Sequence, residues 1–175
     1  MNNFSRRLEV AANIAIIIVA ITIVVVFAKK YLFVNKVNQP IGIVAGTKVS
    51  LPDVDWAKNG RTLLLVLQKG CHFCSESAPF YQHLVRETMG CANIHLVAVS
   101  PQEVAEGKKY LNDLGVQIED VKQASLSALG VNGTPTLILV DGAGKVNNSW
   151  VGKLPANGES QVFGALQCNS PKASN

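Results

Sequence analysis

The stretch from Val10 to Phe27, VAANIAIIIVAITIVVVF, constrains this chain more than any other: it carries no charge, and Asn13 and Thr22 are its only polar side chains. At a rise of about 1.5 Å per residue, a helix of this length is about long enough to cross a hydrocarbon core. β-branched residues are mediocre helix formers in water, but in lipid a single segment satisfies its backbone only as a helix. The run ends in Val26-Phe27, followed by Lys29-Lys30-Tyr31, with no A-x-A pattern. An uncleaved anchor is therefore expected rather than a removed signal peptide. The expected organisation is a short tail at 1–9, a transmembrane anchor at 10–28, a tether at 29–47, a folded domain at 48–168 and a tail at 169–175.

This one segment accounts for a composition that is 48% hydrophobic, with a mean hydropathy of +0.22 and 16% charged residues. Its flanks account for the charge. The chain has 16 basic and 12 acidic residues, net +4; Arg6, Arg7, Lys29, Lys30 and Glu9 all lie in residues 1–30. The remainder is nearly neutral, so the basicity is membrane-flanking and not a nucleic-acid footprint. Basic residues stand on both sides of the run and give the positive-inside rule no clear vote. A short N-tail before a large C-terminal domain favours export of that domain.

Past the tether, Lys48–Gly60 reads as a lead-in containing a loop or edge strand. Thr62-Leu63-Leu64-Leu65-Val66-Leu67 is a short continuous apolar run, the mark of a buried strand. Phe80, Leu84, Val85 and Met89 fit one helical face over about 73–89, with Gly90 as a stop. Residues 94–99 predict a second strand, and Ser100-Pro101-x-Glu103 predicts a helix start, the helix ending near Gly115. A short strand at 116–121 and a short helix at 125–129 are expected next. Residues 136–140 and 146–151, joined by Asp141-Gly142-Ala143-Gly144, predict an antiparallel hairpin, and a last helix is expected over about 157–167. Strands alternating with helices and then a hairpin indicate an α/β fold with a mixed central sheet flanked by helices.

Between the first strand and the first helix lies Cys71-His72-Phe73-Cys74. A cysteine at a helix N-terminus meets unpaired N–H groups and the positive end of the helix dipole, which favour its thiolate. The thiolate is the reactive form. Two intervening residues let the second sulfur reach the first, so Cys71 is expected to attack and Cys74 to resolve. A protonated His72 would stabilise the Cys71 thiolate further, and Lys69 adds positive potential; a more stable thiolate makes the disulfide more oxidising. For His72 a solvated surface role is the alternative. The chemistry needs two sulfurs and no cofactor.

The strand, Cys71-x-x-Cys74, Pro79 five residues after the second cysteine and Thr134-Pro135 before a hairpin together resemble the thioredoxin superfamily. The lead-in and the anchor resemble its TlpA/ResA-like and redoxin-like branch. The resemblance covers about residues 49–167. It implies a thioredoxin-like fold and a thiol–disulfide oxidoreductase acting on protein or small-thiol partners, with a separate redox partner. It also implies a single-pass protein of the bacterial cytoplasmic membrane with its catalytic domain outside, as in the periplasm. Pro135 is then expected to be cis and beside the active-site pair, with Thr134 offering its backbone to an extended substrate. The sequence departs from the family where Gly70 replaces the usual tryptophan. Leu65 stands at the position of a buried acid, and Ser77 at that of a glutamate, with Glu76 one position off.

Cys91 and Cys168 admit three readings: a structural disulfide, two separate thiols or a second redox relay. In a thioredoxin-like fold both would follow helices that run the same way on one sheet face. They would sit about 20 Å from Cys71, at the opposite pole. That favours a structural bridge, which would imply an oxidising compartment. The alternative to exchange chemistry is a soft-metal module in which Cys71, Cys74 and His72 hold copper. His83 and His95 show no metal-ligand spacing, and no metal is expected. Trp150 and Trp56 are expected to pack, Trp56 in a segment able to reach the cleft; Phe80 and Tyr81 are expected in the core and on the helix surface.

Overall fold

The computed structural model describes residues 42–168 together with residues 16, 17 and 19–23. The chain divides into two units, Met1–Gln39 and Pro40–Asn175. In the first, the described residues are helical, and Ile16, Ile17, Val19, Ile21 and Ile23 are exposed. Among the described residues no helix is long and apolar enough to cross a membrane. The rest of the expected anchor, most of the tether and both tails lie outside the described residues.

The second unit begins with a one-turn helix, α1 (Trp56–Asn59), followed by β1 (Arg61–Val66), α2 (His72–Glu76) and α3 (Ala78–Met89). Then come β2 (Ile94–Ser100), α4 (Val104–Asp113), β3 (Val121–Gln123), β4 (Thr136–Val140), β5 (Val146–Val151) and α5 (Ala156–Leu166). One five-stranded sheet has the order β3-β2-β1-β4-β5. β1 runs parallel to β2, and β2 to β3, while β4 is antiparallel to both β1 and β5. The helical crossovers enforce the parallel pairs, and the tight turn after Val140 enforces the antiparallel pairing of β4 with β5.

Because β1 is central, both of its faces are buried, which is why it reads as an unbroken apolar run. Leu63, Leu65 and Leu67 point into one core with Phe80, Leu84, Leu111, Val162 and Leu166 from the three longer helices. Leu64 and Val66 point into the other, with Val97, Val99 and Ile138, under a cover of Val49, Leu129 and Val131. Truncating any one of the fully buried leucines to alanine removes about 2–5 kcal/mol.

Several boundaries differ from the sequence expectation for local reasons. The expected helix at 73–89 is interrupted at Ser77, because Pro79 has no N–H to continue the ladder. The helix expected from Ser100-Pro101 starts at Val104. Ser100 closes β2 instead, its hydroxyl donating to Gln102 Oε1 at 2.6 Å. Residues 116–120 bury Val116 and Ile118 without forming a strand, since β2 takes a partner on that side only from Ala98 onward. The expected helix at 125–129 is a set of turns, in which Ser125 Oγ accepts from the Ala128 N–H at 3.2 Å. Trp56 does not approach the cleft. It packs with the second core against Gly144, where a Cβ would lie 3.0 Å from its ring and φ is +78°.

Two polar devices fix the ends of elements. Asp141 Oδ1 accepts from the Ala143 and Lys145 N–H groups at 2.9 Å each, and these two bonds hold its carboxyl below the usual carboxylate range. The Arg61 guanidinium donates to the carbonyls of Ala165 (2.6 Å) and Leu166 (2.9 Å), which have no partners within α5. Arg61→Leu should therefore lower stability by about 1–2 kcal/mol. In thermal unfolding the midpoint should fall by roughly 3–8 °C, and an unchanged midpoint would refute the capping role.

Candidate active site

The site is built where β1 and β4 end together. Val66 pairs with Thr136, so the residues just after β1 and just before β4 meet at one edge of the sheet. Gly70, at φ +80°, turns the chain out of β1; this left-handed geometry suits glycine and would strain any residue with a Cβ. Cys71 follows as the N-cap of α2. Its Sγ accepts the Cys74 N–H at 3.1 Å, as a capping oxygen would. Cys71 is half-buried, Cys74 is completely buried, and the two are disulfide-bonded with Cα atoms 5.2 Å apart.

From the other side, the Thr134–Pro135 peptide is cis, and the Thr134 carbonyl lies 3.4 Å from Cys71 Sγ. The Thr136 hydroxyl donates to the Gly133 carbonyl at 2.8 Å and holds this turn. The half-buried sulfur thus has a helix N-terminus behind it and the Thr134 carbonyl beside it.

His72 and Phe73 both project outward, and Phe73 remains exposed despite its size. His72 Nε2 lies 3.1 Å from Glu76 Oε1, and Glu76 Oε2 lies 3.1 Å from Lys153 Nζ. Lys153 first, and then His72, hold the Glu76 carboxyl below its ordinary range. Lys69 is exposed and pairs with Glu106 at 3.5 Å, so its charge is shared with a carboxylate instead of being directed at Cys71 alone. The His72–Glu76 pair was visible in the sequence as an i, i+4 spacing. Lys153 comes from 77 residues away and had no signal.

Away from this edge, Cys91 and Cys168 are bonded, joining the chain just past α3 to the chain just past α5. His83 stacks on Phe163 at 4.8 Å and pairs with Glu87, and His95 pairs with Asp120 at 3.0 Å. Among the described residues no group of three or more His, Cys, Asp or Glu side chains is placed to hold a metal. Phe80 lies in the core as expected, whereas Tyr81, expected on the helix surface, is buried at 2% exposure.

The mixed sheet, the cysteine pair opening a helix and the adjacent cis-proline define a thioredoxin-like fold. Solved structures share it. A Chlorobium tepidum protein with a provisional assignment as thiol:disulfide interchange protein DsbE matches at a TM-score of 0.56 and 23% identity, over 71% of this chain and 99% of that one. A thiol:disulfide interchange protein from Bacteroides sp. matches at 0.54 and 17%, over 75% and 94%. The thioredoxin domain of a thiol-disulfide oxidoreductase from Bacteroides vulgatus matches at 0.54 and 16%, over 70% and 97%. No family model matches the chain, and no curated protein matches it.

Proposed function

We propose that this protein is a thiol–disulfide oxidoreductase in which Cys71 attacks and Cys74 resolves. The observation that carries this reading is the difference between the two sulfurs. Cys71 is half-buried, sits at a helix N-terminus and accepts an N–H bond that favours its thiolate, while Cys74 is wholly enclosed. As a reductant, the Cys71 thiolate attacks a substrate disulfide, and one substrate thiol leaves. Cys74 then displaces the second thiol and closes the Cys71–Cys74 bond, so the protein is oxidised by the two electrons the substrate gains. As an oxidant it runs the same steps backwards.

Substrates are proteins or small thiols with an extended approach along the Thr134 backbone, and a second redox partner resets the pair. The exposed Phe73 and the His72–Glu76–Lys153 cluster form the rim that such a partner meets. The uncharged run Val10–Phe27 supports a single-pass anchor in a bacterial cytoplasmic membrane. The Cys91–Cys168 bond supports an oxidising, periplasm-like location for the domain.

Trapping tests the reading. Cys74→Ala should leave Cys71 able to attack but not to release, so mixed disulfides should accumulate and disappear on non-selective reduction. Absence of any adduct with an added model disulfide would sink the proposal.

A further inference from the structure

Asparagine is followed by glycine three times in this chain, at Asn59-Gly60, Asn132-Gly133 and Asn157-Gly158. In such a pair the glycine nitrogen can attack the asparagine side-chain carbonyl, because the second residue has no Cβ to block the approach. The five-membered ring that results closes readily only where that nitrogen is unengaged and the backbone is free to bend. The fold therefore decides which of the three pairs reacts.

Two of them are held. The Gly60 N–H donates to the Trp56 carbonyl at 2.9 Å as the C-cap of α1. The Gly158 N–H donates to Asn157 Oδ1 at 3.0 Å. Gly158 is also buried in the first turn of α5, where a Cβ would stand 3.3 Å from Leu154 and Pro155. Asn132-Gly133 differs on each count. Asn132 is exposed, and the pair belongs to no helix or strand. Among the described residues neither the Asn132 side chain nor the Gly133 N–H has a hydrogen-bond partner. Nothing lies within 4 Å of the place a Gly133 Cβ would occupy.

This free pair stands in the active-site turn. The Gly133 carbonyl accepts the Thr136 hydroxyl at 2.8 Å, and the next carbonyl along, that of Thr134, lies 3.4 Å from Cys71 Sγ. We propose that Asn132-Gly133 is a site of spontaneous deamidation, a slow covalent modification that weakens attack by Cys71. Its effect on exchange rests on the function proposed above; the modification itself does not. The Gly133 nitrogen bonds to Asn132 Cγ, the Cγ–Nδ2 bond breaks, and ammonia leaves with the Gly133 amide proton. Water then opens the ring. Opening at Cγ gives aspartate, and opening at the main-chain carbonyl gives isoaspartate. One water is consumed, one ammonia is released, and no electrons change hands. Both products set a carboxylate where a neutral amide stood, two residues from Thr134, and an added anion disfavours a nearby thiolate. Isoaspartate also routes the main chain through Cβ, lengthening the turn that the Thr136 hydroxyl holds.

The test ages the oxidised full-length chain at mildly alkaline pH and digests samples with trypsin over days. The tryptic peptide 123–145 contains Asn132 as its one asparagine, so its amide-to-acid mass gain reports this site alone. It should convert on the order of tenfold faster than Asn59 or Asn157, whose glycine N–H bonds have to break first. Each sample, once reduced, is also reacted with dithiodipyridine, an uncharged disulfide. The rate of its first thiol release should fall in step with conversion. Asn132→Gln, whose longer side chain does not close a five-membered ring, should hold its starting rate throughout. Asn132→Asp should start about threefold slower than the wild type, a deficit that shrinks as salt is raised, whereas a merely structural defect would ignore salt. Conversion at Asn132 no faster than at the other two pairs would overturn the modification. Full conversion with an undiminished rate would overturn its effect on Cys71. A fresh chain that releases no thiol at all would sink the exchange reading instead, and the mass gain would still decide the modification.

Discussion

Replacing Cys71 by serine should reduce disulfide exchange to the uncatalysed background, while Cys74→Ser should retain a single stoichiometric attack. A hydroxyl can cap α2 as well as the sulfur does, so Cys71→Ser should keep the fold. It cannot form or break an S–S bond, so it removes the chemistry. The structure makes the two cysteines unequal: Cys71 is half-buried at the helix N-terminus, and Cys74 is wholly enclosed beneath it. Alkylation of the reduced protein should accordingly mark Cys71 first, because it is the accessible sulfur at the helix N-terminus and Cys74 is enclosed. Mass mapping of the alkylated protein reads this directly. Preferential labelling of Cys74 would reverse the roles given to the two sulfurs.

The second large effect is on stability. The Cys91–Cys168 bond joins positions 77 residues apart, and the chain-entropy relation gives such a loop about 4.5 kcal/mol. Measured values for native bridges run at about 2–4 kcal/mol, so the double variant Cys91→Ala, Cys168→Ala should lose about 3 kcal/mol. For a domain of this size that is a fall of roughly 10 °C in the unfolding midpoint. Exchange at Cys71 should survive below the new midpoint, because the bridge lies past the far end of α3 from the active pair. An unchanged midpoint would mean that the bond constrains nothing the fold does not already constrain. Lost exchange in a still-folded variant would instead make the second pair part of the redox chemistry.

How far the chain can be read by eye follows from where each signal lives. β1 is legible because a central strand buried on both faces must be apolar at every position, and residues 62–67 are. The hairpin is legible because Asp141 and the glycines beside it carry the turn chemistry locally. The α2–α3 break is half-legible: Pro79 forbids a continuous ladder, but the residue at which the helix yields depends on how Ser77 is held. Residues 116–120 misled because buried alternation resembles a strand whether or not a neighbouring strand is there to pair with. At the site, the spacing of Cys71 and Cys74 and the Thr134-Pro135 dipeptide stood in plain view. The Glu76–Lys153 pair did not, since it depends on elements meeting from distant parts of the chain.

Taken alone, the order of residues determined three things about this protein: an uncharged run suited to lipid, strands and helices in an α/β sequence, and two cysteines positioned to open a helix. Those are local properties, carried by side-chain polarity, turn residues and spacing. Tertiary structure alone decided how far each cysteine is enclosed and how closely the Thr134 carbonyl approaches Cys71. It also paired Lys69 with Glu106 and set the His72 ring against Glu76. The physical reason is that burial and electrostatics are set by whatever packs alongside. For Cys71 that neighbour is Thr134, brought within 3.4 Å by the pairing of β1 with β4 and not by anything in the intervening sequence.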